Sequence, residues 1–495
     1  MSRLSLRSFA WTFAAALLVV ILAGSWVAAE ERITLEVVLT KGRDPNHNIV
    51  QDYGNVSWAD LLVQEFQKEY PHVDVVFRMG SLEQVTVQIA AGMGPDIING
   101  AMYEFINLGR QGAFVDLNPL FERDGIDYMR DQVFWPPQWE AFSHKGQQFA
   151  VPQYLGTIAM YYNVDMWDDA GFPRPDPRAD VNTMDWYEFE AIAKKLTKDL
   201  TGDGVPDVWG FQKWMNQPDR LHYWLAAAGS DFYGNEDKTV STMDNPQAVQ
   251  AIEFLRSLRW DARAVAPPGV EPSFIAGQAA IWEDGSWRLV EMLGRTKDGY
   301  PKVSFEWNVF PMPIGPSGKR YTLATTDGYA INRNTKHLEE AYALLKFLCG
   351  PVANQIKAQY LALQPAHRDV VHEWIGLMQE LNRDVYDIDL RVFVEAGPYA
   401  LPEVIYSEPA LAESLFRETY SKIIDGNQPA GPIWSEAIQR LNRQLAAASR
   451  EPVRETLQWA GAEWTTHDIN VLIPGTTLVL DDDSLLVTAS GHDLW

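Results

Sequence analysis

Two tryptophans flank a short turn of small residues within positions 278–288, and charged residues stand beside them. The pair is Trp282 and Trp287, and the charged neighbours are Asp284 and Arg288. Flat apolar rings can stack on the apolar face of a sugar, while carboxylate and guanidinium groups bond to the hydroxyls at its rim. The pattern therefore predicts a carbohydrate contact, and packing of either ring in the core is the alternative.

A second candidate for chemistry is an acidic segment whose spacing is that of a calcium-binding loop. Asp199, Asp203 and Asp207 stand at ligand positions, and Gly204 stands at the turn position. Gly210 occupies the place of the expected bidentate glutamate, so a metal ion here would be held weakly. A calcium site and a tight Asp/Gly turn at the end of a helix therefore both stay open.

Motifs for catalysis are missing from the sequence. It contains no Walker loop, no HExxH and no GxSxG segment. The one cysteine, Cys349, excludes an internal disulfide and a thiolate metal cluster. We therefore predict that the chain is not an enzyme and that it needs no cofactor beyond the calcium alternative.

Charge and length narrow the class of protein further. The chain has 495 residues with 66 acidic and 41 basic side chains, a formal net charge of −25. Such a polyanion repels nucleic acid and anionic membrane surfaces, so neither is an expected partner. A chain of this length is expected to form two domains.

The N-terminus has the layout of an export signal. A basic start precedes an apolar run over residues 9–24 and small residues that end at Ala29. We predict a signal peptide over residues 1–29, with an uncleaved anchor helix as the alternative. Ser25 stands where a bacterial lipoprotein would carry its acylated cysteine, so no lipid anchor is expected.

Strand and helix patterns alternate in the first part of the chain, which predicts βαβ units and a parallel sheet. The predicted elements are a strand over 33–40, a helix from 58, a strand over 73–77, a helix over 82–91 and a strand over 96–98. The tail over 451–495 differs, because it is strand-like around 469–473, 477–480 and 485–488.

Five short segments occur in an order that is specific as a set. They are FQKEYPHV at 66–73, AAGMGPDI at 90–97, VPQY through YYNVDMW at 151–167, FIAGQAAIW at 274–282 and TDGYAI at 326–331. Over roughly residues 33–447 the chain thereby resembles the extracellular solute-binding proteins of bacterial carbohydrate ABC transporters, a group that includes maltose- and trehalose-binding proteins.

The resemblance implies an α/β fold of two lobes joined by several crossing strands, with a ligand cleft that closes by hinge bending. The tail over 451–495 lies outside the resemblance. The implied lobes are 33–153 plus 328–370 for the first and 154–327 plus 371–450 for the second.

The resemblance also places candidate residues around the cleft. Asp96 is the expected polar contact at the end of a strand, and Trp58 offers a ring from the first lobe. The other implied ligand-binding residues are Tyr154 at one crossing, Trp282, Asp284 and Trp287 in the second lobe, and Asp327 and Gly328 at a second crossing. Tyr329-Ala330 departs from the family pattern, which puts the local cleft contact at that strand in question.

The implied function is binding of a di- or oligosaccharide outside the cytoplasmic membrane and its delivery to the permease of an ABC importer, by a monomer. A binding protein for a polyol, a phosphorylated polyol or a peptide is the alternative, and a secreted glycoside-acting enzyme is a third hypothesis. A phosphorylated ligand would require basic side chains in the cleft, and only Arg288 is well placed.

Overall fold

A computed structural model describes residues 32–40, 44–46, 56–215, 217–292, 303–381 and 388–449, and the backbone of four strands between 454 and 488. The predicted signal peptide over residues 1–29 lies outside the described residues. Within the described ranges, no helix combines the length and the apolar content needed to cross a membrane.

The described residues form strands and helices that alternate along most of the chain. The strands are β1 (Ile33–Leu39), β2 (Val73–Met79), β3 (Ile97–Ala101), β4 (Ser143–His144), β5 (Gln147–Gln148), β6 (Val151–Pro152), β7 (Gly156–Asn163), β8 (Trp209–Gln212), β9 (Ala279–Gly285), β10 (Trp307–Phe310), β11 (Thr322–Thr325), β12 (Asp327–Ile331), β13 (Ala400–Leu401), β14 (Arg454–Trp459), β15 (Ala462–His467), β16 (Thr476–Asp481) and β17 (Ser484–Thr488). The helices are α1 (Trp58–Phe66), α2 (Leu82–Ala90), α3 (Met102–Arg110), α4 (Asn118–Asp124), α5 (Pro136–Glu140), α6 (Val164–Asp169), α7 (Trp186–Leu196), α8 (His222–Ala228), α9 (Pro246–Trp260), α10 (Leu289–Met292), α11 (Leu338–Cys349), α12 (Pro351–Leu361), α13 (Arg368–Leu381), α14 (Arg391–Glu395), α15 (Pro409–Tyr420) and α16 (Ala430–Ala448).

Local chemistry sets several helix starts. The Ser57 hydroxyl oxygen accepts a hydrogen bond from the Asp60 amide, and the Asp60 carboxylate accepts one from the Ser57 amide, so α1 begins with a capping box. Asp185 accepts the amides of the first turn of α7, and Asn245 caps α9 just before Pro246. These caps fix where each helix enters its lobe.

The first lobe is built on a five-stranded sheet in the order β2-β1-β3-β12-β6. β1 is parallel to both β2 and β3, which is the βαβ arrangement that the alternating pattern predicts. β12 runs antiparallel to β3, and β6 runs antiparallel to β12. The carboxyl ends of the three parallel strands therefore share one edge, where Asp327 at the start of β12 pairs with Ala101.

The second lobe is built around β7, which is buried along its whole length. β7 is antiparallel to β9, β10 and β11, β8 extends the sheet beyond β9, and β13 extends it beyond β11. Alternate residues of β7 face two different apolar cores. Met160 and Tyr162 face one core, and Ala159 and Tyr161 face the other.

Three short segments connect the lobes and are bonded to one another. The chain passes from β6 to β7 through residues 153–155, from β11 to β12 through Thr326, and from α12 to α13 through the segment that contains Gln364. The Thr326 hydroxyl donates to the Tyr154 carbonyl at 2.8 Å, and the Leu155 amide donates to the carbonyl of Gln364, which lies between α12 and α13, at 3.2 Å. The two-lobed α/β architecture with crossing segments expected from the sequence is thus confirmed.

The lobes also touch away from these crossings. Arg110, at the end of α3 in the first lobe, donates from Nη1 to the carbonyls of Tyr406 and Ser407, at 3.2 and 2.9 Å. These two residues belong to the second lobe, because the Tyr406 hydroxyl donates to the Phe232 carbonyl at 2.7 Å. Ile405 packs into the apolar core of the first lobe beside them. The structure therefore records a conformation in which the lobes are in contact.

The tail forms two hairpins, β14 with β15 and β16 with β17. The predicted strands at 477–480 and 485–488 correspond to β16 and β17. The predicted strand at 469–473 lies outside the described residues.

Candidate functional site

Two aromatic rings meet over one glycine at the start of the longest strand of the second lobe. A β-carbon built on Gly156 would lie 2.7 Å from the Trp287 ring and 3.0 Å from the Tyr154 ring. A side chain at this position would therefore push the rings away. Both Tyr154 and Trp287 are partly exposed, and Tyr154 belongs to a segment that joins the lobes.

A buried carboxylate holds two arginines beside Trp287. Asp284, with 0% exposure, accepts from Arg220 Nη1 at 3.3 Å and from Arg288 Nε at 3.0 Å. The Arg220 guanidinium carbon lies 4.9 Å from the centre of the Trp287 ring, in the range of a cation–π contact. Asp284 thus positions both arginines, and Arg220 lies against the face of the partly exposed Trp287 ring.

Carboxyl groups from three separate segments converge next to Arg220. Glu403 is the central one, and its pKa is raised to about 8 by burial and by the nearby charges of Asp219 and Asp327. Arg220 opposes this rise but does not cancel it. Asp327 stands at the carboxyl edge of the first sheet, so these groups lie where the two lobes meet.

The arrangement combines partly exposed ring faces with hydrogen-bonding groups of both kinds. Tyr154 and Trp287 offer apolar faces, Arg220 donates, and the carboxyl groups accept. Such a combination suits a ligand with apolar faces and polar rims. A cavity of about 240 Å³, to which Glu403 and Asp219 both contribute, extends from this group into the second lobe.

Two predicted aromatic contacts lie in the core instead. Trp282 is 4% exposed and packs between Tyr161 and Phe274, with ring centres 5.4 and 5.7 Å away. Trp58 is 2% exposed, packs against Phe77 and donates from Nε1 to the Asp44 carbonyl. Both rings sit on faces that helix or sheet packing covers, so burial overrides the expectation that they face the cleft.

The predicted polar contact Asp96 lies at the wrong edge of its sheet. It precedes β3, and its carboxylate accepts from the Glu36 amide at 2.9 Å and from the Thr335 hydroxyl at 2.6 Å. Ligands are expected at the opposite, carboxyl edge of parallel strands. Asp96 therefore links β1 to the segment after β12, and it does not belong to the candidate site.

Gly328, which was predicted with Asp327 at the second crossing, has a packing role. A β-carbon on Gly328 would lie 2.7 Å from the Phe142 ring and 3.0 Å from the Val151 carbonyl oxygen. The Gly328 carbonyl accepts a hydrogen bond from Asn99 at 3.0 Å inside the first sheet. Its role in the structure is close packing of strands.

The acidic loop uses its carboxylates to bind its own backbone. Asp199 accepts from the Gly202 and Gly204 amides at 2.6 and 2.7 Å, and Asp207 accepts from the Leu200 amide at 2.6 Å. The Asp203 carboxylate accepts a hydrogen bond from the Val205 amide at 2.9 Å. No group of three or more potential metal ligands occurs in the part of the chain that the structure describes. This geometry matches the turn interpretation, and calcium binding stays a prediction.

Several residues of the site were missed by sequence reasoning. Asp219 and Arg220 lie on the turn before α8, His222 is the first residue of α8, and Glu403 follows β13. They stand far from Trp287 in the sequence and carry no motif. A proline followed by an acidic and a basic residue, as in Pro218-Asp219-Arg220, is typical of a surface turn. Only the fold shows that this turn lies beside the cleft.

Comparison with known proteins gives a consistent result. The family model of the bacterial extracellular solute-binding proteins matches residues 53–355, more than half of the chain. A binding protein of Brucella abortus is 26% identical over 295 residues, which span 57% of this chain and 66% of that protein's length. The arabinooligosaccharide-binding protein of Bacillus subtilis is 24% identical over 323 residues, 62% of this chain and 70% of that protein.

Solved structures share the fold at low sequence identity. An ABC substrate-binding protein from Listeria monocytogenes in complex with cycloalternan superposes with a TM-score of 0.65 at 19% identity, covering 84% of this chain and 98% of that one. The maltose/maltodextrin-binding domain from Bdellovibrio bacteriovorus bound to maltotriose gives 0.61 at 17% identity, covering 84% and 100%. Together with the family match over residues 53–355, the two lobes and their cleft place the chain in the bacterial extracellular solute-binding protein family.

Proposed function

We propose that this protein binds a di- or oligosaccharide between its two lobes and delivers it to an ABC importer. The observation that carries the proposal is the Tyr154–Trp287 ring pair over Gly156, with Arg220 and carboxyl groups at its side. The names of relatives support the ligand class, since they include arabinooligosaccharide- and maltotriose-binding proteins.

A thermal-shift screen against mono-, di- and oligosaccharides tests the ligand class. A sugar present at 100 times its dissociation constant should stabilise the folded chain by about 2.7 kcal/mol. Linear polyols of similar hydroxyl content serve as the matched control, because they lack the rigid apolar face that stacks on a ring. Stabilisation by polyols or peptides but by no sugar would contradict the proposal.

An anionic ligand such as a phosphorylated polyol is disfavoured by the charges of the site. The two arginines near Trp287 already face carboxylates, since Arg220 and Arg288 both bond to Asp284. A phosphate would have to compete with this buried carboxylate and with the negative groups around Glu403. Phosphorylated sugars should therefore bind less tightly than their neutral counterparts.

One observation favours a glycoside-acting enzyme as a second candidate. The pKa of Glu403 is raised to about 8, so this carboxyl stays mostly protonated near pH 7, as the general acid of a glycosidase must. We expect binding without turnover, because the family is one of solute-binding proteins. Chromatography of each stabilising oligosaccharide after long incubation with the protein would reveal cleavage, with the Glu403→Gln variant as the control.

Delivery to an importer requires that the protein act outside the cytoplasmic membrane. The basic and apolar N-terminal layout supports export, and the family consists of extracellular proteins. Mass spectrometry of protein from the native host should find an N-terminus after Ala29 and no lipid. Light scattering should find a monomer, and co-purification with membranes should depend on permease subunits.

A further inference from the structure

A buried ion pair lies behind the candidate site, inside the second lobe. Lys213 follows β8, Glu283 lies in β9, and their side chains are 0% and 1% exposed. The Lys213 ammonium donates to the Glu283 carboxylate. The same carboxylate accepts from the Tyr223 hydroxyl and, at 2.8 Å, from Trp224 Nε1. Both oxygens of Glu283 are therefore used within this network.

One hydrogen bond leaves the network and ends on the main chain of the candidate site. Lys213 Nζ donates to the Arg220 carbonyl at 2.6 Å. Arg220 precedes Leu221, the N-cap of α8, so its carbonyl lies outside the hydrogen-bond ladder of that helix. Lys213 thus fixes the turn before α8 at the residue whose guanidinium carbon lies 4.9 Å from the centre of the Trp287 ring.

Two consecutive residues of β9 support the two ends of Arg220. Glu283 acts on the Arg220 carbonyl through Lys213. Asp284 instead accepts directly from Arg220 Nη1, at 3.3 Å. Neighbouring residues of a strand point to opposite faces of the sheet, and both carboxylates are enclosed. One buried strand therefore holds both the main chain and the side chain of Arg220.

Stability alone does not account for the ion pair. Taking a lysine and a glutamate out of water is costly, and buried pairs can often be replaced by apolar residues without loss of stability. A binding site, in contrast, gains from side chains that are held in place before the ligand arrives, because less ordering then remains to be done. The bond that reaches Arg220 gives the pair such a role.

We propose that Lys213 and Glu283 are positioning residues of the carbohydrate site, which fix Arg220 so that its guanidinium holds the Trp287 ring in the orientation that stacks on a sugar. Neither of the two side chains reaches the ligand, since both are enclosed in the second lobe. The inference rests on the proposed carbohydrate function and adds to its site two residues that act through Arg220.

Sugar affinity and stability, measured on the same variants, test the inference. Lys213→Met leaves Glu283 enclosed without its cation, so this variant should lose stability and affinity together. Adding Glu283→Gln removes the uncompensated charge and keeps an acceptor for Tyr223 or Trp224. The double variant should regain the melting temperature of the wild type and still bind sugar about tenfold more weakly, because the bond to Arg220 is missing. A network that only stabilises the core would regain both properties.

The probe is whichever of maltose, maltotriose, trehalose and arabinotriose binds the wild type most tightly in calorimetric titration. In an Arg220→Ala background, the double change should cause no further loss of affinity, because the positioned side chain is already gone. The matched control is Arg259→Met with Asp425→Asn, which removes a largely buried ion pair of the same lobe at the end of α9. It should leave sugar affinity unchanged, and circular dichroism checks that every variant is folded.

A measurement without ligand follows the turn itself. Amide hydrogen exchange in peptides over residues 217–224 should be faster in the double variant than in the wild type, while peptides over α9 should exchange at the same rate in both. Unchanged exchange over 217–224 would mean that Lys213 does not hold the turn, and the inference would fail.

The outcomes separate this inference from the function on which it rests. If a sugar binds the wild type and the double variant equally well, the inference is overturned and the proposed function stands. The same holds if the loss of affinity persists in full in the Arg220→Ala background, because the network then does not act through Arg220. If neither this panel nor the wider thermal-shift screen yields a sugar that binds, the proposed function fails, and hydrogen exchange alone decides whether the network holds the turn.

Discussion

Trp287 is only partly buried: it packs at the border of a second-lobe core and contacts Gly156 and Arg220. Trp287→Ala should therefore weaken sugar binding by about 2 kcal/mol, the scale of a binding hot spot, and lower stability less than truncation of a fully buried tryptophan does. Trp282→Ala, five positions earlier, is the matched comparison. It should cost about 3–5 kcal/mol of stability because it empties a core site. Fluorescence titration and urea unfolding measure the two effects. Equal loss of affinity in both folded variants would contradict this division.

Ionisation of Glu403 should make the free energy of unfolding depend on pH. The ordinary pKa of Glu403 is 4.5 and its folded pKa is about 8. The unfolded chain gives up this proton at lower pH than the folded chain does, so the ligand-free protein should lose stability as pH rises from about 4.5 to 8. Glu403→Gln cannot ionise, so its stability advantage over the wild type should grow between pH 5 and pH 8. If the free energy of unfolding, measured with urea at each pH, changes with pH in the same way for both proteins, the pKa of Glu403 is not raised.

The loop between α7 and β8 is an element whose own carboxylates hold its shape. The Gly204 amide, with others of the loop, holds the pKa of Asp199 below its usual range, so ionised Asp199 stabilises the folded loop and this contribution is lost as pH falls through that lowered pKa. Asp199→Ala should lower the melting temperature more than Asp203→Ala, because Asp203 accepts fewer amides. Calcium and EDTA should leave the wild-type melting temperature unchanged. A rise with calcium that Asp199→Ala abolishes would favour the metal-site interpretation.

At the scale of the whole molecule, Arg110 joins the lobes at a point away from the crossings. Its bonds to the Tyr406 and Ser407 carbonyls can exist only when the lobes are close. Because a ligand shifts an equilibrium between open and closed forms only through differential contacts, Arg110→Ala should favour the open form and weaken sugar binding by up to about tenfold. Small-angle scattering should show a larger radius of gyration for this variant without sugar.

The control for this effect is Arg333→Ala, which removes a bond to Gly112 within the first lobe and should leave the scattering profile as it is. In the wild type, saturating sugar should reduce the radius of gyration. If sugar binds and the profile of neither the wild type nor Arg110→Ala responds, the lobes do not move as the hinge interpretation requires.

The sequence by itself determined the elements of the fold, their order and the family. The strands near 33, 73 and 97, the caps at Ser57 and Asp185 and the five spaced segments are local patterns, which depend on residues close together in the chain and can be recognised without the fold. Tertiary structure alone decided which faces meet. Trp282 and Trp287 look alike in sequence, but Trp282 lies within β9, which is buried along its whole length, whereas Trp287 follows β9 in a turn and is partly exposed. Asp96 is likewise separated from its expected role by the direction of a strand. The group around Glu403 is assembled from distant segments, and such convergence leaves no periodic or spaced signal in the chain because it depends on how two sheets are joined.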